Sequence, residues 1–266
     1  MLHKEFGLIS IIMAAYNAEK TIELAIESVL NQTYSNFELL VINDCSKDRT
    51  AKLVEAFSAK DNRVRLISNE KNCGVSFTRE HGLEEAKGAW IAVLDSDDAW
   101  APEKLEKQIE LQNRTNADLL FTGSAFMDSD GRPIDWYLHA PEEVTYRQLL
   151  KQNILSNSSA LVRKELYAKY YAVGDGMHED FAIWLSILKE GKKAYGVDEP
   201  LLIYRIAKSS KSGNKVKAAK MNWNTYRYIG LNPVEAAYYE GWYMIKNVIK
   251  YTNCLLYTSP SPRDKR

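Results

Sequence analysis

The 266 residues, 45% hydrophobic and 26% charged, are enough for one large α/β domain with a substantial core. Lysine plus arginine balance aspartate plus glutamate at 35 each, so no global field favours nucleic acid and any basic site must be local. The three cysteines, Cys45, Cys73 and Cys254, are an odd and widely spaced set. They point to a reducing compartment rather than to a disulfide framework.

The N-terminal apolar run over 7–15 is too short for a secretion signal and breaks at Asn17. Nowhere do about 18 apolar residues follow one another, the length a spanning helix needs. The expected location is cytoplasmic, either free or at the inner face of the plasma membrane.

Residues 8–13 (LISIIM) read as a strand buried on both faces. Asn17 is expected to cap a helix in which Ile22, Ile26, Val29 and Leu30 share one face. A second buried strand covers 37–42 (FELLVI), and a polar turn at 44–48 leads to a helix ending near Phe57. A strand at 64–68, a helix at 75–87 and a strand at 90–94 (WIAVL) follow. The last of these runs into Asp95-Ser96-Asp97-Asp98, and Pro102 sits where the next helix should start. Strands alternating with helices at this spacing predict a mostly parallel sheet. Asn17, Asp44 and Asp95 all fall just past strand ends, the edge at which open α/β sheets bind ligands.

After residue 120 the pattern loosens. A strand is expected at 119–126, a loop at 127–141 around Gly131 and Pro133, and a short strand at 158–163. Phe181, Trp184, Leu185 and Leu188 mark a buried helix face. Two more strands are expected at 194–197 and 201–206. The stretch 208–220 is lysine-rich, and Tyr238, Trp242, Ile245 and Ile249 lie at helical spacing. The lysine-rich stretch could neutralise a diphosphate or attract anionic lipid, beside the plainer reading of a solvated face, and the Tyr/Trp stripe could be core, homodimer contact or peripheral membrane anchor. Residues 255–266 (LLYTSPSPRDKR) read as a disordered tail and resemble translated adapter sequence.

Three carboxylates at one strand end repel one another unless a cation is present. Asp95 and Asp97, two apart in extended chain, point the same way. Such a pair suits Mg²⁺ or Mn²⁺ completed by substrate phosphates, although a solvated acidic turn has the same composition. Glu179-Asp180 forms a second acidic site, which on residues alone equally suits two helix-start carboxylates.

The order and spacing of four segments narrow these alternatives. SIIMAAYN (10–17), VINDCS (41–46), NCGVS (72–76) with Arg79, and LDSDDAWAP (94–102) together resemble the family 2 glycosyltransferases. The likeness continues through His178-Glu179-Asp180 and EPLLIYR (199–205) and covers roughly 8–220. SGNK (212–215) and Ala218-Ala219-Lys220 look most like bacterial surface-polysaccharide members, such as teichuronic acid glycosyltransferases.

The resemblance implies a GT-A fold, a mostly parallel nucleotide-binding sheet flanked by helices, with acceptor-side helices at the C-terminus. It divides the chain into a nucleotide-sugar half (1–126), an acceptor and catalytic-base half (127–220), a helical extension (221–254) and the tail (255–266). It implies an inverting, metal-dependent transfer from a UDP-sugar to a saccharide or lipid-linked saccharide acceptor. Ala14, Ala15, Tyr16 and Asn17 would line base and ribose, Asp44 would bond uracil or ribose, and Arg79 would lie near the diphosphate. Asp95 and Ser96 would face the ribose and metal shell, and Asp97 would bind Mn²⁺ or Mg²⁺. Asp180 would be the base, supported by Glu179. His178 reads as a surface residue beside them. Ala14-Ala15 and Asn43 depart from the family's frequent Pro-Thr and Asp, which weakens the identification of the nucleotide.

Two other functions compete. A nucleotidyltransferase would carry a glycine-rich basic loop near its N-terminus, and 8–17 has neither glycine nor lysine. A non-catalytic sugar-nucleotide-binding or assembly protein on the same fold stays open.

Overall fold

The computed structural model describes residues 6–171, 174, 176–206 and 215–258, with side chains in the last two helices described over 216–246. Four buried strands build the first half: β1 (Ile9–Ala15), β2 (Phe37–Asn43), β3 (Val64–Ser68) and β4 (Trp90–Val93). They are joined by α1 (Ile22–Leu30), α2 (Thr50–Ser58) and α3 (Val75–Glu85). All pairings among these strands are parallel, with Ala15 opposite Asn43 and Ile12 opposite Val93. Continuous apolar runs suit this position because both faces are covered. Ile9, Ile11 and Met13 pack on one side with α1, while Ile12, Leu40 and Ile42 pack on the other with α3 and α7 (Glu179–Lys189). Gly82 lets α3 approach closely, since a Cβ there would meet Ile12 and Ile42 at 2.7 Å.

The second half widens the sheet with β5 (Ala99–Trp100), β6 (Leu119–Met127), β7 (Pro133–Leu138), β8 (Glu143–Val144), β9 (Leu161–Arg163) and β10 (Ala194–Arg205). The strand order is β3-β2-β1-β4-β9-β6-β10-β5, with β7 on β6 and β8 on β10. β9 runs antiparallel between β4 and β6, and β5 closes antiparallel on β10. The sheet is therefore mixed overall and parallel throughout its first four strands. The helices α4 (Lys104–Thr115), α5 (Tyr146–Leu149), α6 (Lys164–Tyr170), α7, α8 (Lys215–Tyr228) and α9 (Pro233–Thr258) complete the fold. Phe181, Trp184, Leu185 and Leu188 of α7 are at most 1% exposed, so the expected helix face is the core contact.

Several local expectations are corrected. Asn17 does not cap α1, which starts after Thr21; instead Asn17 takes a left-handed conformation (φ 50°). Asparagine tolerates that conformation, and here its side chain bonds the loop after β2. The stretch 127–141 is not all loop, because 133–138 pairs with β6 as β7. The two strands expected at 194–197 and 201–206 are one, β10, with its register shifting between Val197 and Leu202. Pro200 lacks an N–H and interrupts the ladder without ending the strand. Residues 157–159 form a 3-10 turn, leaving only Leu161–Arg163 as strand. α9 runs to Thr258, so helix reaches into the expected tail. Tyr238, Trp242 and Ile245 are exposed on α9 rather than part of the core. Residues 207–214 of the lysine-rich stretch, with Ser212-Gly213-Asn214, lie outside the described residues, as do 259–266.

Candidate active site

The parallel sheet brings the ends of β1, β2 and β4 to one edge. At the end of β1, Ala14 is partly buried and Ala15 buried, and Tyr16, just past it, is 51% exposed. It does not close the core. Asn17 ties this edge together: its N–H donates to Ser46 Oγ at 3.0 Å, and its Oδ1 accepts from the Lys47 N–H at 2.8 Å.

Asp44 follows β2 and is buried. Its N–H donates to the Ala15 carbonyl at 2.8 Å. Its carboxylate accepts from Asn69 Nδ2 (2.9 Å), the Cys73 N–H (2.8 Å) and the Gly74 N–H (2.9 Å). Gly74 sits at φ 83°, a left-handed turn that glycine adopts without strain, and it opens α3. Asp44 therefore anchors the 69–74 loop that forms a wall of the edge.

After β4 the acidic turn is closed by the Asp98 N–H donating to the Asp95 carbonyl at 3.0 Å, with Ser96 in its second position. The three acids have different surroundings. Asp95 accepts from Arg79 Nη2, and its own N–H donates to Ser158 Oγ at 3.2 Å. Asp97 is held above the usual carboxylate range, first by burial and then by Asp95. Asp98 is held well above it by burial, Asp95 and Asp97. One Asp98 oxygen accepts from the Arg205 N–H at 2.9 Å, and Oδ2 is buried without a hydrogen bond among the described residues.

Arg79 joins this turn to the second acidic site. It lies on α3, is 6% exposed, and donates through Nη2 to Asp95 and through Nη1 to Glu179. Asn157, with its amide oxygen turned inward, accepts from both terminal nitrogens at 3.3 Å. Burial opposes the guanidinium charge, but Asp95 and Glu179 hold it protonated, well above its ordinary value. A buried arginine sharing two carboxylates in this way fixes both. Asp180 beside Glu179 has its pKa raised to about 7, chiefly by burial and then by the Glu179 charge, with Arg79 acting the other way.

The segment leading to Asp180 is held at several points. Tyr171 Oη donates to the Ser76 carbonyl at 2.6 Å, and the Gly174 N–H to Ser76 Oγ at 3.3 Å. Asn224 Nδ2 donates to the Gly176 carbonyl at 2.8 Å, and the His178 N–H to Thr225 Oγ1 at 3.1 Å. His178 is partly buried at the N-cap of α7.

Sequence reasoning assigned no role to five residues that support the site. Arg205 closes the acidic turn from β10, its Nε donating to the Asp97 carbonyl at 2.9 Å. An arginine ending an apolar strand was the available signal. Ser158 and Asn157 come from the 3-10 turn, and Trp100 Nε1 donates to the Ser158 carbonyl at 2.7 Å. Beneath them Lys104 is fully buried, with Nζ 4.0 Å from the centre of the Trp100 ring, and burial pushes its pKa well down.

Among the described residues no three His, Cys, Asp or Glu side chains converge to hold an ion unaided. The oxygens that could meet a hard divalent cation are those of Asp97, whose pKa is raised by burial and then by the charge of Asp95 beside it. A cation there needs further oxygens from a ligand, as an Mg²⁺ or Mn²⁺ shared with phosphates would have.

Comparison with known proteins agrees with this geometry. The glycosyl transferase family 2 model matches residues 10–170. A Bacillus subtilis protein described as the teichuronic acid biosynthesis glycosyltransferase TuaG is 39% identical over 84% of this chain and 88% of its own length. The Escherichia coli UDP-Glc:alpha-D-GlcNAc-diphosphoundecaprenol beta-1,3-glucosyltransferase WfgD is 36% identical over 92% of this chain and 95% of its own. A crystal structure of S. aureus TarS 1-349 in complex with UDP-GlcNAc shares the fold (TM-score 0.68, 21% identity), covering 86% of this chain and 69% of that one. With two acidic sites joined through one arginine at the binding edge of a GT-A sheet, the chain belongs to glycosyl transferase family 2.

Proposed function

We propose that this chain transfers one sugar, with inversion, from a UDP-sugar to a hydroxyl of a lipid-linked saccharide during assembly of a bacterial surface polysaccharide. The observation that carries the reading is Arg79, which binds Asp95 and Glu179 at once and so brings the Asp95–Asp98 turn and the Glu179–Asp180 pair to one site. Donor and acceptor chemistry follow the relatives, since WfgD is named for UDP-Glc and a diphosphoundecaprenol-linked GlcNAc.

Tyr16 offers an exposed ring to the base, with Ala14, Ala15 and Asn17 beside it, and Asp44 braces the wall against base and ribose. Asp95 and Ser96 meet the ribose side of the donor. Asp97 and Asp95 would hold Mn²⁺ or Mg²⁺, which when bound supplies positive charge against the leaving diphosphate. Arg79 adds fixed charge on the same side and is preorganised by its two carboxylates. Asp180 accepts the proton of the acceptor hydroxyl as its oxygen bonds to C1. The C1–oxygen bond to the diphosphate breaks on the opposite face, and its electron pair leaves with UDP. A base with a pKa near 7 is matched to that task, because it binds the proton usefully yet is ionised at neutral pH. Glu179 keeps Arg79 and Asp180 in register.

The test is UDP release from a panel of UDP-sugars with Mn²⁺ and undecaprenyl-diphosphate-GlcNAc. Wild type should release UDP only with acceptor and metal, and Asp180→Asn should bind UDP but hardly turn over. Equal turnover by the variant would assign the base elsewhere.

A further inference from the structure

The solvent side of α9 is apolar where a surface helix is ordinarily polar. Val234, Tyr238, Trp242 and Ile245 follow i, i+4, i+8 and i+11 on one stripe, with Met244 on its flank. Their exposures run from 38% for Trp242 to 79% for Val234. The opposite side is already used: Ala236 and Glu240 are buried, Tyr239 and Tyr243 pack on the core, and Glu240 accepts from Asn222 of α8 at 2.6 Å. Isolated exposed apolar residues are ordinary, but five on one helix side mark a contact surface.

Charge identifies the partner. Residues 215–258 carry six lysines and arginines and two glutamates, in a chain of zero net charge. Lys217, Lys220 and Arg227 are exposed on α8, which packs against α9, and Lys151 Nζ lies 5.4 Å from the centre of the Trp242 ring. A twofold contact between two copies through this face would bring two net-positive hairpins together. An anionic surface would neutralise them. Tyr and Trp beside lysine form the side-chain set of a helix lying in a bilayer interface, its rings at headgroup depth and its amines toward anionic headgroups. Among the described residues no helix is long and apolar enough to cross a membrane, so the contact is with a surface.

We infer that the α8–α9 hairpin docks on an anionic lipid bilayer through the exposed Tyr238–Trp242–Ile245 stripe of α9 and the basic side chains of α8. In its link to the acceptor the inference rests on the transfer reading above, because a lipid-linked saccharide is presented at such a surface. The docking itself does not require that reaction.

The full chain is floated with phosphatidylcholine vesicles and with mixed phosphatidylcholine–phosphatidylglycerol vesicles, at low and high salt. Binding should need the anionic lipid and weaken with salt. Trp242→Ser/Ile245→Ser should lower the vesicle-bound fraction roughly tenfold or more, as expected when two buried interfacial side chains are lost. The same variant should keep the thermal shift given by UDP and Mn²⁺. Lys217→Glu/Lys220→Glu, confined to exposed positions, should weaken anionic binding and decides the matter if the first variant does not fold. Wild-type protein that stays unbound, or unchanged flotation of the charge variant, overturns the inference. So does a wild-type dimer that the Trp242/Ile245 variant converts to monomer, which would assign the stripe to a second copy. Flotation without a UDP shift would instead sink the transfer reading and leave the surface standing.

Discussion

The two acidic sites are built in opposite ways. The Asp95–Asp98 turn is local: it follows β4 directly, is closed by its own backbone hydrogen bond, and buries Asp97 and Asp98 beside their neighbouring carboxylates, so that both hold protons more tightly than usual. The Glu179–Asp180 pair is assembled from a distance. It opens α7 after a segment held by Ser76 of α3 and by Asn224 and Thr225 of α8. Local construction makes a site robust in geometry but leaves strong repulsion for a ligand to relieve. Long-range construction sets Arg79 against the repulsion between Glu179 and Asp180 and makes the geometry depend on the packing of remote helices. Arg79 is bonded to both.

Removing the local site should give the largest effect. Asp97→Ala should abolish the part of UDP binding that depends on Mn²⁺, measured by titration calorimetry with and without EDTA. It should leave thermal stability unchanged or raised, since it deletes a carboxylate whose ionisation burial opposes. Unchanged metal-dependent affinity would end the contrast drawn above. In the long-range site, Asp180→Asn should lower kcat by roughly 10²–10⁴, the range for a lost general base, with UDP affinity retained.

Arg79→Met tests the joint. It leaves Asp95 and Glu179 without their shared cation, and removing one partner of a buried ion pair costs about 3–5 kcal/mol. The unfolding midpoint should fall by far more than in either aspartate variant, and turnover should fall with it. A stable Arg79→Met enzyme would mean that the two sites are held together by packing alone.

The pH dependence separates the sites further. Asp180 has a pKa of about 7 in the folded protein, against the usual carboxylate value when unfolded. As a base it must be ionised, so kcat/KM should fall as pH drops through about 7, and Asp180→Asn should lose that limb. The stability consequence has the opposite sign. The folded state binds this proton more tightly than the unfolded chain, so protonation stabilises, and the contribution is lost as pH rises through about 7. The thermal advantage of Asp180→Asn should therefore grow as pH rises from about 4 to about 7 and stay level above it.

The same division explains what the sequence revealed. β1, β2, β3, β4 and the acidic turn were legible because each is specified by contiguous residues: an apolar run, then a polar turn. The face of α7 was legible because Phe181, Trp184, Leu185 and Leu188 repeat at helical spacing. β7 was missed because PIDWYL begins at Pro133, follows Gly131 and is nowhere fully buried, so its pairing with β6 leaves no buried pattern. Asn17 was misread because a left-handed asparagine and a capping asparagine have the same local sequence. The partners of Arg79 lie 16 and 100 residues away, and no spacing rule reaches that far. The apolar stripe of α9 was visible as a repeat, but periodicity does not say which side of a helix faces the core.

The smallest effect is the most discriminating, because it concerns a residue with no route to substrate. Thr225 is fully buried on α8; its Oγ1 accepts from the His178 N–H and donates to the Met221 carbonyl at 3.0 Å. Thr225→Val keeps the shape of the side chain and removes only these two bonds. A hydrogen bond of this kind contributes about 1 kcal/mol, so stability should fall slightly. If α8 positions the start of α7, the same change should lower kcat about threefold to tenfold while UDP affinity stays at the wild-type value, because Asp97 and its turn do not depend on α8. Asn224→Ala, which frees the Gly176 carbonyl, should act in the same direction, and the pair should exceed either alone because both hold one short segment. A lowered unfolding midpoint with unchanged kcat would mean that these bonds only fasten α8 to the domain, and that Asp180 is positioned by Arg79 and Glu179 without help from the C-terminal helices.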